Sequence, residues 1–441
     1  MNALSSPLTL PSGAVLPNRI GKGAMTEGLA DRNDDATERH ARLYRTWSEG
    51  GAGMLLTGNV MVDRRYLERP GNVVVDEAFD KEALRAWAAA GTQAGNHLWM
   101  QINHPGRQCT RMSSSDPVAP SAVKLEGMMG LAAPPRALRV DEIHDIIGRF
   151  AHVARTAKET GFTGVQIHSA HGYLSSQFLS PRVNRRTDEW GGSLENRARF
   201  LLETYRAVRE AVGSHYPVAV KLNSADFQKG GFSKEESAQV AAWLAELGLD
   251  LLEISGGTYE QMALFGDKGE AERAKAESTK RREAYFLEYA RDIRAALDGT
   301  PLMVTGGFRT PGLMRDVVAS GEVDVVGIGR PFCVEPDLPK RLFEGSSEPL
   351  PTPERELRLG PGPLDRGSSI RSVRTLNAGA EVAWFYRQII ELAEGREPNV
   401  PLGAWSAFLG HFARELRIAR SRSFKRGRPA LSAGQRPEAQ A

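Results

Sequence analysis

A chain of 441 residues with 41% hydrophobic and 25% charged residues has ordinary globular usage, which excludes fibrous and largely disordered classes and allows one large core. The formal net charge of +3 gives no global electrostatic case for nucleic acid or a membrane surface. Its two cysteines, Cys109 and Cys333, stand in no metal-ligand spacing, so zinc or iron–sulfur sites built on cysteine are not expected. The N-terminal residues lack the basic and long apolar regions of a signal peptide, and no window holds about 18 uninterrupted apolar residues. A soluble cytoplasmic protein is the expectation.

In chain order, Leu8, Leu10, Gly13 and Leu16 predict a short hairpin that covers the bottom of the fold. Eight apolar or β-branched runs follow: Asn18 to Met25, Gly53 to Gly58, His97 to Asn103, Gly164 to His168, Pro217 to Leu222, Asp250 to Ile254, Pro301 to Thr305 and Val323 to Ile328. Segments with helical periodicity lie between them, among them Val140 to Thr160, Ser193 to Val212, Ser233 to Leu247 and Ala284 to Leu297, with Asp141, Ser193 and Ser233 as caps at or near their starts. Eight strands in one unbroken alternation with helices predict an α/β protein, a closed (β/α)8 TIM barrel, rather than an open doubly wound sheet.

The segment from Gly106 to Arg139 is too long for an ordinary strand-to-helix loop and predicts a lid or rim excursion above the top face. Beyond Phe343 the pattern changes to a Pro- and Gly-rich linkage and then helical stretches around Ala380 to Glu394 and Ala404 to Ala419. The expected organisation is therefore a barrel over residues 1–345, a helical C-terminal extension over 346–419 and a disordered basic tail over 420–441.

Function in such a barrel sits where strands end at the top face. Strand one ends in Gly23, Ala24, Met25 and Thr26, strand two in Gly58, and strand three carries Gln101. Strand four ends in His168, with His171 and Tyr173 just beyond it, and strand five carries Lys221. Glycines close strands seven and eight, Gly306 and Gly307 on one and Gly329 before Arg330 on the other. Two adjacent glycine-bearing strand ends suit a phosphate, because backbone N–H groups approach it with no Cβ in the way, and Arg330 adds a planar cationic fork. Turn formation alone is the competing explanation for these glycines.

The stretches NRIGKGAMT, QINHPGRQ, QIHSAHGYLSSQFLSPRVNRRTDEWGGSLENRARF, VAVKLNSADF, VTGGFRT and VVGIGRPF resemble the Old Yellow Enzyme family, over about residues 5 to 345. That resemblance implies FMN across the barrel mouth, reduced by NAD(P)H and reoxidised by an activated alkene, an enone or a nitroalkene. Thr26 then matches the residue at the flavin O4 edge, Gly58 the small residue beneath it, Gln101 the amide that reads the pyrimidine ring, and Lys221 the cation beside N1 and O2. A cation about 4 Å from that negative charge contributes on the order of 4 kcal/mol at an effective dielectric of about 20, or roughly 90 mV in a two-electron couple. His168 and His171 match the pair that hydrogen-bonds the substrate carbonyl, and Tyr173 matches the proton donor. Gly23, Ala24 and Met25 fall on the cofactor-binding strand end with Thr26.

Departures are also visible. Thr26 stands where many bacterial members carry cysteine, Gly28 where some carry tyrosine, and Gln166 where an acidic residue is common. The same flavin could serve an NADH oxidase or a nitro-compound reductase. A metal hydrolase using His168 and His171 is the remote alternative, but two histidines without a third ligand are too few for zinc, and no metal is expected. Asn196 and Arg197 fit a salt-bridged role at the rim, and Trp47, Trp87 and Trp243 fit packing. The basic stretch Arg414 to Arg428 has only Phe424 among its charges, which favours a solvated or interface-forming tail over nucleic acid. Self-association into a homo-oligomer is left open.

Overall fold

The computed structural model describes residues 2–125, 132–226, 230–255, 287 and 289–426. Eight parallel strands close into a barrel: β1 (Ile20–Lys22), β2 (Met54–Leu56), β3 (His97–Asn103), β4 (Gly164–Ser169), β5 (Val218–Asn223), β6 (Leu251–Ser255), β7 (Leu302–Thr305) and β8 (Val325–Ile328). The barrel closes where Val326 of β8 pairs with Ile20 of β1. All eight strands lie on the predicted runs, differing only at their ends.

Alternation sends every second side chain inward. At the bottom, Met54, Leu56, Trp99, Ala219, Leu251, Met303 and Val325 form one apolar cluster with Leu10 and Leu16. Leu16 belongs to the antiparallel hairpin of Leu8–Thr9 with Val15–Leu16, which therefore closes the bottom as predicted. Trp99 fills this interior so tightly that a Cβ on Gly164 would lie 2.5 Å from its ring, so β4 has to open on glycine.

Outward residues such as Val165, Ile167, Val220, Leu222, Leu252 and Ile254 pack in the larger core shared with the surrounding helices. Those helices include α1 (Glu38–Glu49), α2 (Lys81–Gly91), α3 (Val140–Glu159), α4 (Leu174–Leu179), α5 (Leu194–Val212) and α6 (Lys234–Glu246). Ser193 caps α5 by accepting from Asn196 N, and Ser233 caps α6 by accepting from Glu236 N. Asp141 is not the cap of α3: Arg139 holds that position, and Glu142 reaches back to accept from its N–H at 2.9 Å. Asp141 lies in the first turn, where its charge complements the helix dipole and pairs with Arg139 at 2.8 Å. The predicted helix over Ala284 to Leu297 lies partly outside the described residues, with 289–294 helical.

In the Gly106 to Arg139 excursion, Val118–Ala119 pairs in parallel with Arg136–Ala137, and residues 126–131 lie outside the described residues. Helix α7 (Pro311–Ala319) lies between β7 and β8, and after β8 come α8 (Leu338–Phe343), α9 (Arg371–Ala393) and α10 (Ala404–Arg426). Helix α10 runs past position 420, where composition sets the start of a tail, because Arg422 is buried and held: its Nη2 donates to Asp34 Oδ2 at 2.7 Å. Residues 427–441 lie outside the described residues. Among the described residues no helix is long and apolar enough to cross a membrane.

The Arg422–Asp34 pair is buried on both sides, with side chains 8% and 5% exposed. Arg422→Ala takes a charged partner from a desolvated carboxylate and should destabilise the protein by about 3 kcal/mol. Denaturant unfolding checks this, and an unchanged midpoint would show that the pair does not secure α10.

Candidate active site at the barrel mouth

The candidate catalytic and cofactor-binding residues fall at the C-terminal end of the barrel or on the turns that follow. Gly23 to Thr26 follow β1, Gly58 follows β2, Gln101 and His168 lie on β3 and β4, Lys221 lies on β5, and Gly306, Gly307, Gly329 and Arg330 follow β7 and β8. Pairing sets His168 opposite Lys221 and Gln101 opposite Gln166.

Above the apolar bottom the interior turns polar. Gln101 Nε2 donates to Gln166 Oε1 at 2.7 Å, and Gln166 Nε2 donates to Glu253 Oε2 at 2.6 Å. Glu253 also pairs with Lys221, Oε1 to Nζ 2.8 Å, with both side chains almost fully buried. Glu253 was not singled out in the sequence, though a lone charge at an inward position of the apolar strand Leu-Leu-Glu-Ile-Ser is the signal that marks it. Its presence changes the electrostatics expected of Lys221. The cation is already answered by an anion, so its net pull on a nearby negative charge falls below the bare Coulomb value.

Strand β4 delivers the histidines. Ala170 N donates to His168 Nδ1 at 3.2 Å, which fixes the ring as the Nε2–H tautomer and leaves Nε2 as a donor. His171 has φ 59°, an uncommon left-handed conformation that turns its ring beside His168, with centroids 5.1 Å apart. Its Nε2 lies 2.9 Å from Ser255 Oγ, and its backbone N donates to Asn223 Oδ1 at 3.0 Å. Burial, with Lys221 nearby, pushes both imidazoles well below the ordinary histidine range, so both are neutral near pH 7. The Tyr173 ring lies 4.9 Å from that of His168. His168, His171 and Tyr173 thus form one cluster.

A second buried charge group lies just outside the barrel wall. Lys22 points toward α1, donates from Nζ to Leu56 O at 2.8 Å, and sits 4.1 Å from the Trp47 ring centroid. Burial lowers it to about 8, opposed by the charge of Glu27. Glu27 accepts from the Tyr44 hydroxyl and from Gly58 N at 2.7 Å, and burial raises its carboxyl. A Cβ at Gly58 would lie 2.2 Å from Glu27 Oε2 and 2.6 Å from Met25 O, so glycine is required there by this network.

Gly306 and Gly307 take φ 120° and 80°, and a Cβ on Gly329 would meet nothing closer than Met25 Sδ at 3.8 Å. Thr305 Oγ1 is buried beside them with no hydrogen-bond partner among the described residues. Arg330 is half-exposed and pairs with Glu381 of α9 at 2.6 Å. The orphaned Thr305 hydroxyl, the open space at Gly329 and the amide and ammonium of Gln101 and Lys221 fit a phosphorylated heteroaromatic cofactor.

Helices α9 and α10 reach the same rim. Tyr386 of α9 shares a side-chain hydrogen bond with Thr26 and is pushed up to about 12, mainly by burial. The Arg69 guanidinium lies 3.9 Å from the Tyr386 ring centroid and pairs with Glu415 of α10. Arg414 Nη2 donates to Gly28 O at 2.6 Å. Arg197 is bound to Glu236 and to the carbonyls of Leu179 and Gly192, a structural role at the rim. Trp47 and Trp87 are fully buried packing residues, and Trp243 packs at the core's edge. Among the described residues no three His, Cys, Asp or Glu side chains are grouped to hold a metal ion.

Comparison with known proteins gives a consistent picture. The model of the NADH:flavin oxidoreductase / NADH oxidase family matches residues 3–348. The chain is 35% identical over 409 residues to NADH-dependent flavin oxidoreductase iccE of Talaromyces variabilis, covering 89% of this chain and 98% of that protein. It is 39% identical over 353 residues to NADH-dependent flavin oxidoreductase iliE of Neonectria sp. (strain DH2), covering 76% of this chain but only 46% of that protein, so it spans about half the length of this relative. Among solved structures, an old yellow enzyme homologue from Zymomonas mobilis is 27% identical with a TM-score of 0.65, covering 78% of this chain and 93% of that one.

The Lys221–Glu253 pair makes a testable claim about the interior. Lys221→Met should cost about 3 kcal/mol because it strands the Glu253 carboxylate in the barrel, and adding Glu253→Gln should recover most of that loss. Thermal and denaturant unfolding of both variants decide it. Equal stability of the single and double variants would mean that the pair is not coupled.

Proposed function

The chain belongs to the NADH:flavin oxidoreductase / NADH oxidase family, and from that premise we propose that it holds FMN at the barrel mouth and reduces the C=C bond of α,β-unsaturated carbonyl compounds with electrons from NAD(P)H. The observation that carries this reading is the cluster of two neutral histidines and a tyrosine at the end of β4, on the same mouth as Gly306, Gly307 and Gly329. In its bound form FMN supplies a two-electron carrier between NAD(P)H and the acceptor.

The residues divide the remaining work. Gly306, Gly307, Gly329 and Arg330 would hold the phosphate, Gln101 and Lys221 the pyrimidine ring, and Gly23, Ala24, Met25 and Thr26 would line the cofactor from the end of β1. His168, as an Nε2–H donor, polarises the substrate carbonyl, with His171 beside it, so that the β-carbon becomes the electron-poor end of the alkene. Being neutral, these rings bind a carbonyl oxygen without needing a charged partner. Tyr173 donates a proton at the α-carbon as the β-carbon receives hydride. The nicotinamide carboxamide is the natural competitor for the same histidine donors, which supports a ping-pong order.

Two measurements test the reading. Tyr173→Phe should slow flavin reoxidation by enones by about 10² to 10⁴ and leave reduction by NAD(P)H nearly unchanged. Equal enone rates in rapid mixing would remove the tyrosine from the mechanism. For the phosphate, Arg330→Ala should lose flavin on purification while Glu381→Gln keeps it. Loss of flavin from both variants would assign Arg330 to docking α9 instead.

A further inference from the structure

Glu68 and Asn59 lie beyond β2, outside every segment from which site residues were read in the sequence. Glu68 Oε2 accepts from Thr26 Oγ1 at 3.1 Å and from Asn59 Nδ2 at 2.8 Å. The same Nδ2 lies 3.2 Å from the Tyr173 hydroxyl oxygen, and Asn59 is only 6% exposed. An amide side chain has one donor end and one acceptor end, and only the NH2 end can face a carboxylate without repulsion. Glu68 therefore decides which end of Asn59 meets Tyr173. The second N–H of the amide is left to donate to the phenol oxygen, so the phenol's own hydrogen must point away from Asn59.

We propose that Glu68 and Asn59 are positioning residues for the proton donor: Glu68 locks the amide of Asn59, and Asn59 holds the Tyr173 hydroxyl with its proton turned toward the substrate. The proposal deepens the reading of Tyr173 as the acid and rests on it. Three features of the surroundings agree. Asn59 Oδ1 is buried with no hydrogen-bond partner among the described residues, so no competing donor holds the amide in the flipped orientation. Arg69, next in sequence, is buried but held charged by Glu415 and Glu68, which places a cation beside the carboxylate. The Tyr173 ring lies 4.9 Å from that of His168, so the hydroxyl that Asn59 holds belongs to the same cluster as the carbonyl donor.

The test is a double-mutant cycle on the full-length, flavin-loaded enzyme, with enone reoxidation and NAD(P)H reduction each followed by rapid mixing. Asn59→Ala and Glu68→Met should each slow enone reoxidation by about tenfold to a hundredfold, a part of what a positioned acid contributes, and leave reduction unchanged. Glu68→Gln keeps an acceptor for Asn59 and should stay near the wild-type rate. In a Tyr173→Phe background neither Asn59→Ala nor Glu68→Met should slow the enzyme further, because the group they position is gone. Equal slowing in both backgrounds overturns the proposal while leaving Tyr173 as the acid. A wild-type rate for Tyr173→Phe alone overturns the tyrosine's role and this proposal with it. Should Asn59→Ala fail to fold, Glu68→Met against Glu68→Gln carries the same decision.

Discussion

A lysine ammonium inside a closed barrel has to be answered by an anion, and the Lys221–Glu253 pair meets that demand across neighbouring strands. Much of the mouth follows from it. Glu253 has a second oxygen to satisfy, which takes the amide of Gln166, and Gln166 in turn takes that of Gln101. Four strands are thus tied by polar side chains in a low-dielectric layer, where partial satisfaction is costly and full satisfaction rigidifies. The same layer sets the state of the histidines. Burial, together with a cation close by, disfavours a second positive charge, so His168 and His171 stay neutral.

The lower half of the barrel makes this polar layer affordable. Trp99, Met303 and their neighbours fill the axis below it, and the N-terminal hairpin closes the bottom, so water reaches the charged layer from one side only. Glycine at Gly164 and Gly21 is the counterpart of those large side chains, since a Cβ at either would collide with Trp99 or Met303. Packing below and polarity above come from one alternating pattern read along eight strands.

The barrel was legible in the sequence because period-two apolar runs separated by helical segments leave few architectures, and the strand-four motif carried the family. Ser193 and Ser233 were legible as caps for local reasons. What stayed hidden depends on contacts between distant residues. Glu27 and Lys22 form a charge group only because β1, β2 and α1 meet there, and the glycine required at Gly58 has its reason in that group rather than in the turn itself. Asn59 and Glu68 lie in a loop with no periodicity to mark them. Asp141 misled because an acidic residue near a helix start serves the dipole as readily as the cap. The C-terminal helices were visible as helices, yet nothing in their pattern said that Tyr386 would reach Thr26 or that Arg422 would seek Asp34.

That last contact has a consequence for how the molecule is made. Asp34 lies in the loop that follows β1, and its buried partner Arg422 is 388 positions later. During synthesis the barrel strands can pair as they leave the ribosome, but this first loop lacks its contact with Arg422 until nearly four hundred further residues have been added. The mouth is therefore finished last, whatever the order in which the barrel closes. A nascent chain stalled within α9 would lack the Arg422 contact, a state in which this loop is open to chaperones and proteases.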